Sequence, residues 1–589
     1  MKDSLKNILN KHIKLKKLET LSASRLSFSL SEKVIFYILI FVFVLSSLFL
    51  IYSMNDEFIV SVPATGGTLS EGIVGIPRFI NPLLAFSDAD RDMTALIYSG
   101  LLKLNANGNL VPDLAKSYKI SPDGLTYDFI LKDNIYFQDG IPVTASDVKF
   151  TIEKAQDPAL KSPKRPDWDK VGIEQVSDKE IKFILKQPYA SFVENLTLGI
   201  IPSHIWKNIS VEQFPYSKYT SEPIGSGPYQ IKTTARDSGG LLVYYELSPF
   251  KKYALGTPHI ANLILRFYNN EDDAYQAYKT GDVESLSSIS PTLAKEIDTS
   301  VSKIETVPLP RVLGVFFNQN QAPVLANKEV RQALDTAIDR EKIVNEVLKG
   351  YAVPITGPIP PDFIDNDNTT SKLPLTTATS TEDLNIASAK QILTKAGWKI
   401  GTDGIFTKTV AKKKQILSFT ISTTNIPELN DATNIIASEW QKMGAKVDVK
   451  AFESSDLNQN VIRPRKYDAL FFGEIVGRDL DLFAFWHSSQ RLDPGLNIAQ
   501  YTNSTVDKIL DDARKISDKE IRISKYQKFT QEISKDKPAV FAYSPDFIYV
   551  IPKKVRGFSL SNITTADERF ATINDWYIET DSIWSIFNR

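Results

Sequence analysis

The 589-residue sequence contains no cysteine. This absence excludes disulfide bonds, thiolate metal sites and a cysteine nucleophile. It also excludes a lipid anchor attached through a thioether, because that bond requires a cysteine. The net charge is only −1, so the chain lacks the basic excess that is typical of nucleic-acid-binding proteins. We therefore expect no nucleic-acid partner.

Histidine is almost as scarce, with four in the chain. They lack the paired spacing that a histidine metal site needs, and they stand at His12, His204, His259 and His487. We expect neither a bound metal nor another cofactor. In IGSGPY (224–229) no histidine is placed to activate Ser226, so a turn is the better interpretation. The protein is therefore not expected to be an enzyme.

One long hydrophobic run stands near the N-terminus, at residues 34–53, and it contains no charge. A helix rising about 1.5 Å per residue would span about 30 Å there, the thickness of a hydrocarbon core. Residues 1–33 carry eight lysines or arginines against three acids, and the positive-inside rule places such a tail in the cytoplasm.

These features predict a single-pass protein of the cell membrane. We expect a basic cytoplasmic tail at 1–33, a transmembrane anchor at 34–53, a linker at 54–67 and a large extracytoplasmic domain. A cleaved signal peptide is the alternative, although its apolar region is normally only about 7–15 residues long.

The remainder of the sequence alternates strand patterns with helical patterns and predicts a mixed α/β fold. Residues 417–423 and 445–452 alternate apolar with polar side chains, and the helical pattern between them ends at Gly444. This order predicts a β-α-β unit with parallel strands. Residues 135–150, IYFQDGIPVTASDVKF, predict a strand, an Asp-Gly turn and a helix with Thr144 as N-cap and Asp147 at the capping-box position.

Residues 471–490 place three acids, Glu474, Asp479 and Asp481, among aromatic side chains that include Trp486. Acids beside aromatic rings suit a pocket for a cationic ligand with an apolar body. The same pattern fits an acidic surface turn that leads into a buried aromatic helix. The residues alone leave both interpretations open.

Several segments resemble the extracellular solute-binding proteins of family 5, the peptide- and nickel-type receptors of ABC importers. Residues 135–150 are similar to the family pattern V-K-F-H-D-G-T-P-L-T-A-E-D-V and share its Phe, Asp-Gly, Pro, Thr-Ala and Asp-Val. Further segments resemble family blocks in the expected order: YSGLLKLNANGNLVPDLAKSYKISPDGLTYDFIL (98–131), PIGSGPYQI (223–231), FFNQNQAPVLANKEVRQALDTAIDREKIV (316–344), AKQILTKAGW (389–398) and YTNSTVDKILDDAR (501–514).

The resemblance implies a periplasmic-binding-protein-like, two-lobed class II α/β fold with an extra inserted domain. Lobe I would consist of 68–108, 223–310 and 549–589, the extra domain of 109–222, and lobe II of 311–548. A ligand would lie between the lobes and be buried by hinge closure. The implied role is to capture oligopeptides and deliver them to the permease subunits of an ABC importer.

The resemblance also implies binding residues. In peptide-binding relatives the ligand backbone is held as an added strand, and an aspartate in a pattern resembling G-W-x-x-D-Y-x-D-P holds its ammonium group. The segment GEIVGRDLDLFAFW (473–486) lacks that Trp and Pro. Asp479 is the best match and Asp481 the second, and Trp486 completes the predicted substrate-binding residues.

Other functions remain open at this point. The ligand of such a receptor could be a sugar or a metal chelate. The protein could also be an anchored peptide sensor, or a hydrolase that uses Glu474 with Asp479 or Asp481.

Overall fold

The computed structural model describes residues 29–360, 363, 381–410, 412–516 and 518–584. The chain divides into two compact units, one formed by Met1–Ala64 with Glu579–Arg589 and the other by Thr65–Ile578. Most of the predicted cytoplasmic tail, residues 1–28, lies outside the described residues.

The first unit contains helix α1 (Leu30–Phe58) and an antiparallel pair of strands, β1 (Ile59–Pro63) and β23 (Thr580–Trp584). The stretch Leu30–Phe49 is long and apolar enough to cross a membrane, and none of it is buried within the protein. A signal sequence has the same properties. The helix therefore agrees with a membrane span but does not distinguish an uncleaved anchor from a signal peptide. The predicted linker 54–67 begins inside α1 and continues as β1.

The second unit is built on a twelve-stranded mixed sheet. Its strands are β2 (Gly66–Val74), β9 (Tyr229–Arg236), β10 (Leu242–Pro249), β11 (Ile260–Tyr268), β12 (Ser285–Ser287), β13 (Ser302–Pro308), β14 (Arg311–Phe317), β15 (Ala352–Pro354), β19 (Ser418–Thr424), β20 (Lys446–Phe452), β21 (Ala469–Ile475) and β22 (Ala539–Pro552). The spatial order is β20-β19-β21-β14-β22-β12-β2-β11-β10-β9, and β13 and β15 both pair with β22.

The unit also contains helices and smaller sheets. The helices are α2 (Asp88–Ile97), α3 (Ala145–Gln156), α4 (Arg165–Trp168), α5 (Ser203–Trp206), α6 (Glu271–Thr280), α7 (Pro291–Ala294), α8 (Lys328–Ala337), α9 (Arg340–Glu346), α10 (Thr381–Lys395), α11 (Pro427–Met443), α12 (Ser454–Asp456), α13 (Phe483–Trp486), α14 (Ser504–Lys515) and α15 (Lys519–Asp536). The smaller sheets contain β3 (Leu102–Leu104) with β4 (Leu110–Pro112), and β16 (Lys399–Ile400) with β17 (Phe406–Val410) and β18 (Lys413–Ile416).

Strand β22 joins the two halves of the large sheet. Its first half pairs with β14 and its second half with β13, both antiparallel. Twelve of its fourteen residues are buried, because each half of the strand contributes side chains to the cores on both faces of the sheet. Val540 and Phe541 belong to the two cores of one half, and Ile548 and Tyr549 to the two cores of the other. This arrangement confirms the predicted two-lobed α/β fold.

Gly314 permits the close approach of β14 and β22 at this crossing. A Cβ atom at position 314 would lie 2.5 Å from the carbonyl oxygen of Val540. The pairing of the two strands also shifts between Leu313 and Gly314. A side chain at this position would therefore separate the strands that connect the two halves.

The predicted β-α-β unit is confirmed. Strands β19 and β20 are parallel along their whole length, and α11 connects them. The helix ends at Gly444, whose φ of 108° places it in the left-handed region that favours glycine.

The predicted capped helix is confirmed as α3, which packs beside a separate four-stranded antiparallel sheet of β5 (Ala115–Ile120), β6 (Thr126–Leu131), β8 (Glu180–Ile184) and β7 (Gly172–Ser177). The strand predicted before the turn is reduced to an isolated bridge between Tyr136 and Pro142. Thr144 donates its backbone N–H and its hydroxyl to Asp147 Oδ2 at 2.9 and 3.0 Å. This sheet falls within the predicted extra domain 109–222, and the exact domain bounds stay a prediction.

A buried ion cluster connects the N-terminal and C-terminal parts of the second unit. Arg569 donates to Glu71 at 2.6 Å and to Asp92 at 2.6 and 2.7 Å, and all three side chains are at most 2% exposed. Tyr549 donates its hydroxyl to the second oxygen of Glu71 at 2.7 Å. Burial raises the pKa of Asp92 to about 7, and the charge of Arg569 opposes that rise.

We expect Arg569→Met to destabilise the protein by about 3–5 kcal/mol, because it leaves two buried carboxyl groups without their cation. Urea unfolding measures this loss. Arg236→Met, at an exposed position of β9, is the control and should change stability by less than about 0.5 kcal/mol. A loss below about 1 kcal/mol for Arg569→Met would show that the cluster does not hold these segments together.

Candidate functional site

A cavity of about 850 Å³ lies beside the crossing of the two halves. Its walls come from β14, β21 and β22, from residues 289–291 and 348–351, and from segments between 424 and 498. Lining residues belong to cores of both halves, since Ile548 is in one and Tyr543 in another. Ligand sites form preferentially at such junctions.

Strand β21 has one edge open beside this cavity. On one side it pairs with β14 along its whole length. On the other side it pairs with β19 only at Ala469 and Leu470. Residues 471–475 therefore have no second strand partner in the described part of the chain, and residues 472–475 line the cavity.

The direction of the free backbone groups follows from the register of this pair. Val476 donates its N–H to the carbonyl oxygen of Pro310 at 2.8 Å. Because hydrogen-bonded positions alternate along an antiparallel strand, the N–H groups of Gly473 and Ile475 point away from β14. They point toward the open edge.

Three arginines line the cavity and differ in how completely they are paired. Arg463 forms an ion pair with Asp493 at 3.3 Å. Arg465 donates to backbone carbonyl oxygens, including that of Gly495 at 2.6 Å. The Nε of Arg311 is buried without a hydrogen-bond partner among the described residues, and burial lowers the pKa of its guanidinium. No sequence pattern singles out Arg311.

Glu474 also lines the cavity, although only 2% of the residue is exposed. Its Oε2 accepts a hydrogen bond from the indole N–H of Trp486 at 3.1 Å. Its Oε1 has no partner in the described structure. Burial raises the pKa of Glu474 well above its ordinary value, and the Trp486 hydrogen bond only partly opposes this. The cavity wall therefore contains a buried carboxyl group with one oxygen that has no hydrogen-bond partner among the described residues.

The predicted residues Asp479 and Asp481 are not among the described residues that line this cavity. Asp481 accepts hydrogen bonds from Arg514 at 2.7 and 2.9 Å, and Asp479 forms an ion pair with Arg522. Each carboxylate is therefore already paired with a guanidinium in this conformation. Binding of a ligand ammonium group by either aspartate would require an ion pair to open, and that assignment stays a prediction.

Trp486, the third predicted residue, is 0% exposed. Its ring lies against Phe316 and Phe541, with ring centres 6.1 and 6.0 Å away. In this conformation it has no surface for a ligand, and its indole N–H orients Glu474. The alternative interpretation of this segment, an acidic turn before a buried aromatic helix, agrees with the position of Trp486 at the end of α13.

Within the described ranges, no group of three or more His, Asp or Glu side chains is placed to hold a metal ion. Two of the described histidines have separate partners. His204 lies 2.8 Å from Asp139, and the ring of His487 stacks on Phe483 with centres 4.2 Å apart.

The family model of the bacterial extracellular solute-binding proteins, family 5, middle region, matches residues 109–491, which is more than half of the chain. The matched residues include β14, β21 and most of the cavity wall. The chain belongs to this family.

Similar proteins include family 5 members that bind different ligands. The oligopeptide-binding protein AppA of Bacillus subtilis is 29% identical over 504 residues, which cover 84% of this chain and 89% of that protein. A structure of AppA from B. subtilis in complex with a nonapeptide has a TM-score of 0.67 at 28% identity and covers 88% of this chain and 100% of that chain. A structure of NikZ from Campylobacter jejuni in complex with Ni(L-His) has a TM-score of 0.67 at 27% identity, covering 87% and 99%.

Residues 478–481 of this family 5 protein take part in contacts with residues that are distant in the sequence. We call these contacts together the closing contact. Arg478 forms an ion pair with Glu568 at 2.6 Å. Arg514, which holds Asp481, has its guanidinium 5.3 Å from the ring centre of Tyr189. The segment that follows β21 thereby contacts Glu568 directly and is connected to Tyr189 through Arg514.

Glu194 lies next to the closing contact. Burial and the charge of Asp479 raise the pKa of Glu194 from 4.5 to about 7, and Arg478 opposes the rise. The folded state therefore binds this proton more tightly than the unfolded state does. The contribution of this bound proton to the free energy of unfolding is fully present below pH 4.5 and is lost as the pH rises through about 7.

We expect Glu194→Gln to stabilise the protein by about 1 kcal/mol at about pH 8, where the wild-type carboxyl group must ionise, and not at about pH 5. Urea unfolding at both pH values measures the difference. Glu153→Gln, on the exposed side of α3, is the matched control and should have the same small effect at both. If Glu194→Gln gains no stability at the higher pH, this account of the closing contact fails.

Proposed function

We propose that this family 5 protein is the membrane-anchored, extracytoplasmic binding protein of an ABC importer. It captures oligopeptides in the cavity beside the crossing and delivers them to the permease subunits. The observation that carries this proposal is the open edge of β21 in the cavity wall.

An open strand edge binds an extended peptide through main-chain hydrogen bonds, which do not depend on the peptide's side chains. Residues 471–475 offer an edge of about 17 Å at about 3.4 Å per residue, enough for about five ligand residues. The outward N–H groups of Gly473 and Ile475 would donate to carbonyl oxygens of the peptide. The nonapeptide bound to B. subtilis AppA supports the same ligand class.

The Nε of Arg311, unpaired among the described residues, favours a ligand that carries hydrogen-bond acceptor oxygens. Arg311 pairs with Ile475 in the register of β14 and β21, so it stands at one end of the open edge. A carbonyl or carboxylate oxygen of the peptide would satisfy its unpartnered Nε.

Capture and release require the cavity to open, and the crossing supplies a hinge for this motion. Strand β22 and the connection from β13 to β14 run between the two halves there. The closing contact then acts as a latch, since Arg478 and Glu568 separate when residues 478–481 move away.

The anchor is proposed from helix α1 and the charges before it. An apolar, exposed stretch at Leu30–Phe49 follows a basic segment, and the positive-inside rule then leaves the large unit outside the membrane.

The alternatives are less well supported by the cavity. A hydrolase that uses Glu474 with Asp479 or Asp481 would need these acids side by side, but of these three only Glu474 is among the described residues that line the cavity. The likeness to NikZ with Ni(L-His) favours a small metal chelate as the second candidate ligand. A sensor role would use the same peptide site with a different membrane partner.

Native mass spectrometry of the full chain, extracted from membranes in mild detergent, tests the proposal. We expect added masses that fragment as peptides, on a chain that retains residues 1–53. A chain that begins after residue 53 would contradict the anchor alone. Bound sugar or metal chelate, or an empty protein that peptides do not stabilise, would contradict the peptide ligand.

Variants at Ile475 test the strand edge with a peptide identified in this way. Ile475→Pro removes one outward N–H and keeps the pairing with β14, so we expect binding to weaken by about 1 kcal/mol. Ile475→Ala keeps the N–H and removes the exposed side chain, and it serves as the control. Equal affinities of the two variants in titration calorimetry would contradict strand addition at this edge.

A further inference from the structure

We propose that Glu474 forms a subsite that holds a cationic group of the ligand. The group is the ammonium or guanidinium of a basic side chain. The inference rests on the proposed function, since it names the chemical group that one part of the same cavity selects.

The first observation is the unused oxygen of Glu474. The side chain is almost fully buried, its Oε2 is held by Trp486, and its Oε1 has no partner among the described residues. A buried acceptor without a donor is costly to the folded state, so it calls for a partner from outside the chain. The residue lines the cavity, although Oε1 itself is buried in this conformation, so a ligand that enters as the cavity opens would supply that partner.

The second observation is the position of Glu474 on β21. Side chains alternate between the two faces of a strand, so Phe472 and Glu474 lie on the same face. A peptide added along residues 471–475 would place every second side chain on that face as well. Opposite charges on neighbouring strands attract each other, and a basic side chain of the ligand would stand beside this acid.

The third observation is the apolar surface around the acid. Phe472, Phe485, Leu496 and Ile498 line the same cavity. Aromatic rings attract cations through their faces, and aliphatic surface accommodates the stem of a lysine or arginine. An acid at the base of an apolar wall thus fits a cation on an apolar stem better than it fits a neutral polar group.

The hydrogen bond from Trp486 orients the carboxyl group of Glu474 before a ligand binds. It fixes one carboxyl oxygen and favours the ionised form, while burial favours the neutral form. A cation brought by the ligand adds a second group that favours ionisation. Glu474 is therefore expected to release a proton when it binds the cation.

The direction of the pH dependence follows from this proton release. Affinity for a cationic ligand should rise as the pH rises through the raised pKa of Glu474, and affinity for a neutral counterpart should not. The other charged side chains that line the cavity are Arg311, Glu428, Arg463, Arg465, Asp493 and Asp546.

Titration calorimetry of the full chain with three sets of synthetic peptides tests the inference. The first set consists of short alanine peptides with one lysine at each position in turn. The second replaces each lysine by norleucine, which has a similar stem without the charge. The third repeats both sets with an acetylated N-terminus, so that side-chain and terminal cations are distinguished.

We expect the best cationic peptide to bind at least about thirtyfold more tightly than its neutral counterpart. Glu474→Gln should reduce this preference to less than about threefold. Glu439→Gln is the matched control, because Glu439 is also a buried glutamate with an oxygen that accepts no hydrogen bond from the described residues but does not line the cavity. It should keep the preference.

The comparison of lysine with norleucine uses the wild-type protein, so it decides the inference even if Glu474→Gln does not fold. Loss of affinity on acetylation instead of on norleucine substitution would assign the bound cation to the peptide's N-terminus and would overturn the inference. Peptides that bind equally well with and without a cation would overturn the inference and leave the proposed function intact. Failure of every peptide to bind would overturn the proposed function and the inference with it.

Discussion

The structure of the second unit depends on one strand that serves two halves. Strand β22 pairs with β14 in its first part and with β13 in its second, and it supplies buried side chains to four cores. The strand therefore joins the two halves, and in the proposed opening motion they rotate about the few residues at the crossing. The close contact of Gly314 with Val540 keeps this connection narrow.

The position of the crossing explains the composition of the cavity beside it. A backbone edge that is left unpaired there must find its hydrogen bonds in solvent or in a ligand. The same holds for the buried Nε of Arg311 and for Oε1 of Glu474. Groups of this kind are costly in a closed core, whereas a binding protein uses them to gain affinity when the ligand supplies their partners.

Local features could be predicted from the sequence because their causes are local. The capping box of Thr144 and Asp147 and the β-α-β unit that ends its helix at Gly444 each need only residues that are close in the chain. The fold class also followed, since ordered segments along most of the chain resemble one family.

The candidate binding residues were harder to predict because their partners are distant in the sequence. Nothing in the segment around Asp479 and Asp481 shows that Arg522 and Arg514 lie against them, 43 and 33 residues further along the chain. Spacing likewise does not show that Trp486 faces a core while Glu474, twelve residues earlier, reaches the cavity. The open edge of β21 depends on how far β19 extends beside it, which is a property of the assembled sheet.

Amide hydrogen exchange, measured with and without a bound peptide, tests the central claim most directly. If the ligand adds to the edge of β21, exchange at Gly473 and Ile475 slows on binding, while Phe472 and Glu474, whose N–H groups point toward β14, change little. A protein that binds peptide without slower exchange at Gly473 and Ile475 would contradict the account.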